Sequence, residues 1–156
     1  MPKTPFSAVC AILSIFTTLI AAPTRASAAE DVATVPARFS AAPLFLGGAT
    51  HWRVRSLRGA RPIQGSEISA RFSGGTVSGR AGCNAYNGSY EAGGGVVTIP
   101  GVGLTRMRCF SPRGVMEQEQ SYVRALQEAR TYFLQRNRLF FRNSDGAVVI
   151  EFIRSR

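Results

Sequence analysis

A two-residue rhythm constrains this chain more than any other feature. Between His51 and Phe152, apolar and polar residues alternate in short runs separated by glycine-rich turns. That is the pattern of strands with one buried face. Trp52 and Val54 share a face opposite Arg53 and Arg55. Ile68, Ala70 and Phe72 share a face opposite Glu67, Ser69 and Arg71. Gly74-Gly75 marks a turn, and Thr76 to Cys83 reads as the returning strand of a hairpin. Asn87 to Glu91 and Val96 to Ile99 flank Gly93-Gly94-Gly95, a second hairpin signal. Leu104 to Cys109 alternates again, with Thr105, Met107 and Cys109 on one face and Arg106 and Arg108 on the other. Strands over 131–135, 138–142 and 147–153 come next, with turns at Asn137 and at Asn143 to Gly146.

One segment has the helical period instead. Ser111-Pro112 reads as an N-cap with proline at the first helical position. Met116, Tyr122, Val123, Leu126 and Ala129 then recur at helical spacing, predicting an amphipathic helix over 113–129. Its acidic residues, Glu117, Glu119 and Glu128, read as solvated. Seven or eight short strands and one helix make a mainly β, α+β domain. Such a sheet must curl or close to bury its apolar face and limit its edges, giving a curled antiparallel sheet or a barrel. Trp52, Phe72, Phe133 and Phe141 are candidates to fill its interior.

The amino terminus obeys different rules. Lys3 precedes an almost uncharged apolar stretch from Phe6 to Ala22, then Pro23 and the small triplet Ala26-Ser27-Ala28. This three-part pattern is that of a secretory signal peptide, residues 1–28, with export to the periplasm or the medium as its consequence. The alternative is an uncleaved anchor, for which the apolar run is slightly short. Residues 29–50 are rich in Ala, with Pro36, Pro43 and Gly47-Gly48, and read as a linker or arm. Phe39, Leu44, Phe45 and Leu46 are its candidates for docking on the domain, which occupies 51–156.

Cleavage changes the arithmetic. The whole chain carries 19 Lys+Arg against 9 Asp+Glu, a formal charge of +10. Losing Lys3 and Arg25 leaves 17 against 9, or +8, carried entirely by arginine. Of three cysteines, Cys10 goes with the signal, leaving Cys83 and Cys109. An even count in an oxidising compartment suggests a disulfide, with two buried free thiols as the alternative. It would close a loop of about 27 residues, worth roughly 3–4 kcal/mol in the chain-entropy description. Hydrophobic content of 45% excludes general disorder, and the length suits one domain.

One string is distinctive: Gly79-Arg80-Ala81-Gly82-Cys83-Asn84-Ala85-Tyr86-Asn87-Gly88-Ser89-Tyr90. It resembles the G-x-x-G-C-N-x-Y-x-G-x-Y signature of the META domain, the family that includes HslJ-type heat-shock proteins. Further pieces occur in the family's order. Trp52, Val54, Leu57 and Gly59 resemble the opening segment, and Thr105-Arg106-Met107-Arg108-Cys109 the T-x-M-x-C segment. Met116-Glu117-Gln118-Glu119 with Tyr122 and Leu126 resembles the M-E-x-E helix, and Leu139 to Phe152 the closing strand pair. Leu104 stands where members often have a second Thr, and Arg108 where they have a small residue. The resemblance implies a barrel-like fold of lipocalin-like topology with one helix, and a role in stress response at the cell envelope. It implies no reaction.

The residues themselves offer little to a catalyst. His51 is the one histidine, so a Ser-His-Asp arrangement must use it. No G-x-S-x-G elbow, C-x-x-C pair or phosphate loop occurs, and a metal site lacks ligands. We therefore expect no cofactor and no enzyme activity. Asn84 with Tyr86 and Tyr90 offers either a small recognition patch or a structural turn in which Gly82 and Gly88 let the chain bend. The arginines suggest binding: Arg53, Arg55, Arg71, Arg106 and Arg108 fall on outward parity, and guanidinium suits phosphate and carboxylate. Arg136, Arg138 and Arg142 add charge near a late hairpin. A plain solvated basic face is the alternative. For an exported monomer the expected partners are anionic envelope components rather than nucleic acid. Further readings are an inhibitor or chaperone-like partner of an exported protein, and last a hydrolase.

Overall fold

The computed structural model describes residues 50–155. The expected signal peptide and all but the end of the arm lie outside the described residues. Among these described residues ten strands and one helix occur in order: β1 (His51–Leu57), β2 (Glu67–Ser73), β3 (Thr76–Gly82), β4 (Ala85–Ser89), β5 (Glu91–Gly93), β6 (Val96–Thr98), β7 (Val102–Leu104), α1 (Val115–Glu128), β8 (Thr131–Gln135), β9 (Arg138–Arg142) and β10 (Val148–Arg154). The strands form one sheet in the order β5-β6-β8-β9-β10-β1-β2-β3-β4-β7. Every paired neighbour is antiparallel.

The first strand sits at the centre because the last returns to it: Trp52 pairs with Arg154 and Val54 with Phe152. One wing, β2-β3-β4-β7, runs out from β1, and the other, β9-β8-β6-β5, from β10. A bulge between Val54 and Ser56 bends β1, and another between Val148 and Ile150 bends β10. Bulges of this kind increase local twist and help a sheet to curl. The outcome is a curled half-barrel, open among the described residues between β5 and β7.

Helix α1 links the β7 wing to the β8 wing and packs on β3, β10 and β1. Its Tyr122, Ala125 and Leu126 join Trp52, Phe72, Val77, Phe141 and Phe152 in one buried cluster. Phe72 meets Tyr90, Phe141 and Phe152 edge-on at 5.1, 5.8 and 6.2 Å. Edge-on ring contacts add to plain area burial. The interior is thus filled by side chains. Phe133 is not among them. It stacks on Phe140 across β8 and β9 at 4.5 Å, with the Arg142 guanidinium 4.4 Å from its ring centre.

Three sequence expectations change. Leu104–Cys109 is not a strand: β7 stops at Leu104, and Met107, expected inside, is 52% exposed. Ser111 does not cap the helix, which starts at Val115 behind Gly114 (φ 84°), with no side-chain cap bond. Asn87 to Glu91 is not continuous, since the chain breaks at Tyr90 between β4 and β5.

Gly88 also acts differently from the turn role expected of it. It lies inside β4, paired with Val102 of β7, where the neighbouring backbone comes so close that a β-carbon would strike the Gly101 carbonyl oxygen. Gly79 on β3 is held in the same way by the Ser69 backbone. Gly88→Ala should therefore cost about 2–3 kcal/mol in urea unfolding, through overpacking. Gly101→Ala should stay within about 1 kcal/mol, because its β-carbon would meet nothing nearer than the Gln127 amide at 3.8 Å.

Candidate functional site

The motif residues converge on one buried latch. The turn from β3 to β4 passes through Gly82, Cys83 and Asn84, and Asn84 is 2% exposed. Its backbone N–H donates to Glu119 Oε2 at 2.7 Å, and its Nδ2 to Glu119 Oε1 at 2.8 Å and to the Met107 carbonyl at 3.1 Å. Its Oδ1 accepts from Thr105 Oγ1 at 2.8 Å and from the Met107 N–H at 2.7 Å. The asparagine amide has two donor hydrogens and two acceptor sites, and all four are used. Thr105 closes the edge: its N–H donates to the Ala85 carbonyl at 3.0 Å, and the Ala85 N–H to Thr105 Oγ1 at 3.2 Å. Beside these bonds Cys83 and Cys109 form the disulfide, with Cα atoms 5.8 Å apart.

Glu119 departs from the solvated position expected of it. It is 4% exposed and faces inward from the second turn of α1. A buried carboxylate is costly unless its oxygens are met by donors. Here Asn84 meets both. The signal was present in the spacing, since Glu119, Tyr122 and Leu126 stand at i, i+3 and i+7 on one helix face. Its motif neighbours play lesser parts: Met116 is half-buried and Glu117 exposed.

The tyrosines are structural as well. Tyr86 and Tyr90 are 4% and 3% exposed, so of the two readings the recognition patch does not form. Tyr86 Oη donates to the Ser69 carbonyl at 3.0 Å. That bond uses its proton, so Tyr122 Oη donates to Tyr86 Oη, 2.8 Å away. Burial pushes the ionisation of both phenols well above the usual tyrosine value.

The surface carries the arginines in two separate regions. Arg53, Arg55 and Arg71 are exposed on β1 and β2. Arg106 and Arg108 are exposed after β7, with β3 and β4 between the two groups. Arg55 and Arg138 share Glu151 at 3.3 and 3.2 Å, while Arg53 and Arg71 have no carboxylate partner among the described residues. Pairing of β1 with β2 runs only from His51 to Arg53. Beyond that the strands part around a cleft of about 570 Å³ lined by Arg53, Arg55, Pro62, Glu67, Ile68 and Ile153. His51 is exposed opposite Arg71. Among the described residues no group of three or more His, Cys, Asp or Glu is placed to hold a metal.

The latch also displays the segment beyond β7. Leu104 is 37%, Met107 52% and Phe110 85% exposed. Sequence parity hid this, because it placed Met107 inside.

Comparison with known proteins agrees with the geometry. The META domain matches residues 44–155. A protein from Burkholderia xenovorans solved by NMR is similar at 26% identity, covering 70% of this chain and 84% of that one, with a TM-score of 0.57. A second NMR structure is similar in fold at 20% identity, covering 69% and 90%, with a TM-score of 0.54. No curated protein matches.

The buried groups can be tested in two ways. Glu119→Ala leaves two Asn84 donors unmet, so it should cost about 2–4 kcal/mol in denaturant unfolding. It should also speed hydrogen exchange at Met107 with the disulfide intact. For the tyrosines, the folded state holds its protons past pH 10.0 while the unfolded chain releases them. Stability is then fully present below pH 10.0 and falls as pH rises beyond it. Melting temperature against pH, in Tyr122→Phe beside the parent, should show a shallower alkaline decline in the variant.

Proposed function

The chain belongs to the META domain family, and on that premise we propose that it is an exported, HslJ-like, non-catalytic protein. It works by binding, in maintenance of the cell envelope or in stress tolerance. The observation that carries this reading is the uncompensated arginine on the open side of β1 and β2. Arg53 and Arg71 stand exposed without carboxylate partners among the described residues, Arg53 at the cleft of about 570 Å³ and Arg71 at the other end of the β1–β2 pairing, opposite His51. Guanidinium groups in that setting suit phosphate and carboxylate. The envelope of an exporting cell offers both in its lipids and polymers. The buried polar groups of the motif are already committed: Asn84 and Glu119 to each other, and Tyr86 to Ser69 and Tyr122. Export rests on the amino-terminal pattern of Lys3, the apolar stretch and Ala26-Ser27-Ala28.

The test is retention on an isolated envelope fraction across a salt series. The exported form should bind at low salt and release as salt rises. Arg53→Gln with Arg71→Gln should weaken retention about thirtyfold, at roughly 1 kcal/mol for each arginine near an anionic surface. Retention indifferent to salt and to both substitutions would overturn the reading.

A further inference from the structure

We propose that the 104–113 segment is a membrane-contact tip. Phe110 and Met107 enter the headgroup region of an anionic bilayer, and Arg106, Arg108 and Arg113 meet its phosphates. This deepens the reading of an anionic envelope partner and rests on it, naming the lipid bilayer as partner and this tip as the point of contact.

Phe110 is 85% exposed, the most exposed large hydrophobic side chain among the described residues, and Met107, three positions before it, is 52% exposed. An exposed phenylalanine ring gains free energy when it leaves water for an apolar phase. The segment is held firmly. The disulfide fixes Cys109, and the N–H and carbonyl of Met107 both bond to the Asn84 amide. The apolar side chains alternate with charge. Arg106, Arg108 and Arg113 are exposed and make no ion pair among the described residues. Arg80 adds a fourth guanidinium at the base, 3.4 Å from the Cys83 carbonyl. Two carboxylates lie nearby in sequence. Glu119 is buried and bonded to Asn84, and Glu117 is exposed at the start of α1.

The charge pattern favours a bilayer over a protein partner. A stable protein interface needs about 800 Å² on each side, built around anchors in pockets. Here a lone ring and a thioether stand among arginines. Peripheral attachment to lipid needs only a few apolar side chains and a basic rim, two weak signals acting together. Arginine suits the rim because its stem lies along apolar chains while its head stays at the phosphates.

The full chain is expressed, and the exported form is mixed with vesicles of phosphatidylcholine alone or with added phosphatidylglycerol. Sedimentation with the anionic vesicles only is expected. Phe110→Ser should weaken it about tenfold or more without changing the melting temperature, because the side chain touches little in the folded protein. Arg106→Gln with Arg108→Gln should weaken it by a similar factor and flatten the salt dependence. Phe110→Trp should shift its emission to the blue on binding and be quenched by brominated acyl chains. Trp52, fully buried, supplies a constant background.

Unchanged sedimentation of Phe110→Ser, or an emission of Phe110→Trp that stays open to aqueous iodide, overturns the proposal. If vesicle binding survives Phe110→Ser but is lost with Arg53→Gln and Arg71→Gln, insertion fails while the basic-face reading stands. If neither vesicles nor envelope fractions retain the protein, both fall. Phe110-dependent capture of an envelope protein without vesicle binding also overturns the proposal, and points to a protein partner at the β7 edge.

Discussion

The structure turns on one buried pair, the Glu119 carboxylate and the Asn84 amide. A carboxylate withdrawn from water loses several kcal/mol of solvation unless donors replace it. Asn84 presents two N–H groups from a single residue, one backbone and one side chain. That arrangement requires the β3–β4 turn to sit against the second turn of α1, so the pair fixes the helix on the sheet. The remaining capacity of the same amide reaches the other way, to Thr105 and Met107. Three stretches distant in sequence thereby share one polar centre, and a half-satisfied version would be worse than an apolar core.

The disulfide beside this centre acts on a different term. It limits the conformations of the unfolded chain by closing a loop between Cys83 and Cys109. It says little about how the enclosed segment is oriented once folded, and the Asn84 bonds supply that. The sheet repeats the theme of contacts that tolerate no slack. Tyr86 reaches from β4 to the β2 backbone and to Tyr122 on the helix. The close approach of the Gly101 and Val102 backbone to Gly88 leaves no room for a side chain. With the two wings of the sheet bent by bulges in β1 and β10, α1 spans the space between them and its inner face completes the core.

Much of this was legible in the sequence. Alternation located β1, β2, β3, β8, β9 and β10 closely, because each has one face on the core. Gly74-Gly75, Asn137 and Asn143 to Gly146 marked their turns, and parity of the cysteine count pointed to the disulfide. Alternation failed at Leu104 to Cys109 for a definite reason. It reports which side chains are polar, not what the backbone bonds to, and here the backbone bonds to an asparagine side chain. Glu119 was misread because charge ordinarily means solvent on a helix, and only its register with Tyr122 and Leu126 argued otherwise. Ser111-Pro112 has the composition of a cap, yet the helix begins only at Val115, behind Gly114. The arginines were legible one by one as exposed residues. Their division into two regions was not, because it depends on strand order.

The polar residues that make this family's motif conspicuous are the least available for contact with anything outside. Asn84 has spent every donor and acceptor, both Glu119 oxygens face it, and the two residues are only 2% and 4% exposed. A substrate could reach them only by breaking the bonds that hold α1 to the sheet. Substitution at these positions therefore acts through folding first, whatever assay is read. Function must be sought elsewhere: in the ordered segment beyond β7, which the latch holds in place, and in the arginines of β1 and β2. The latch itself supplies the rigidity that makes an exposed phenylalanine or guanidinium a defined contact, since a side chain fixed before binding loses less freedom when it binds.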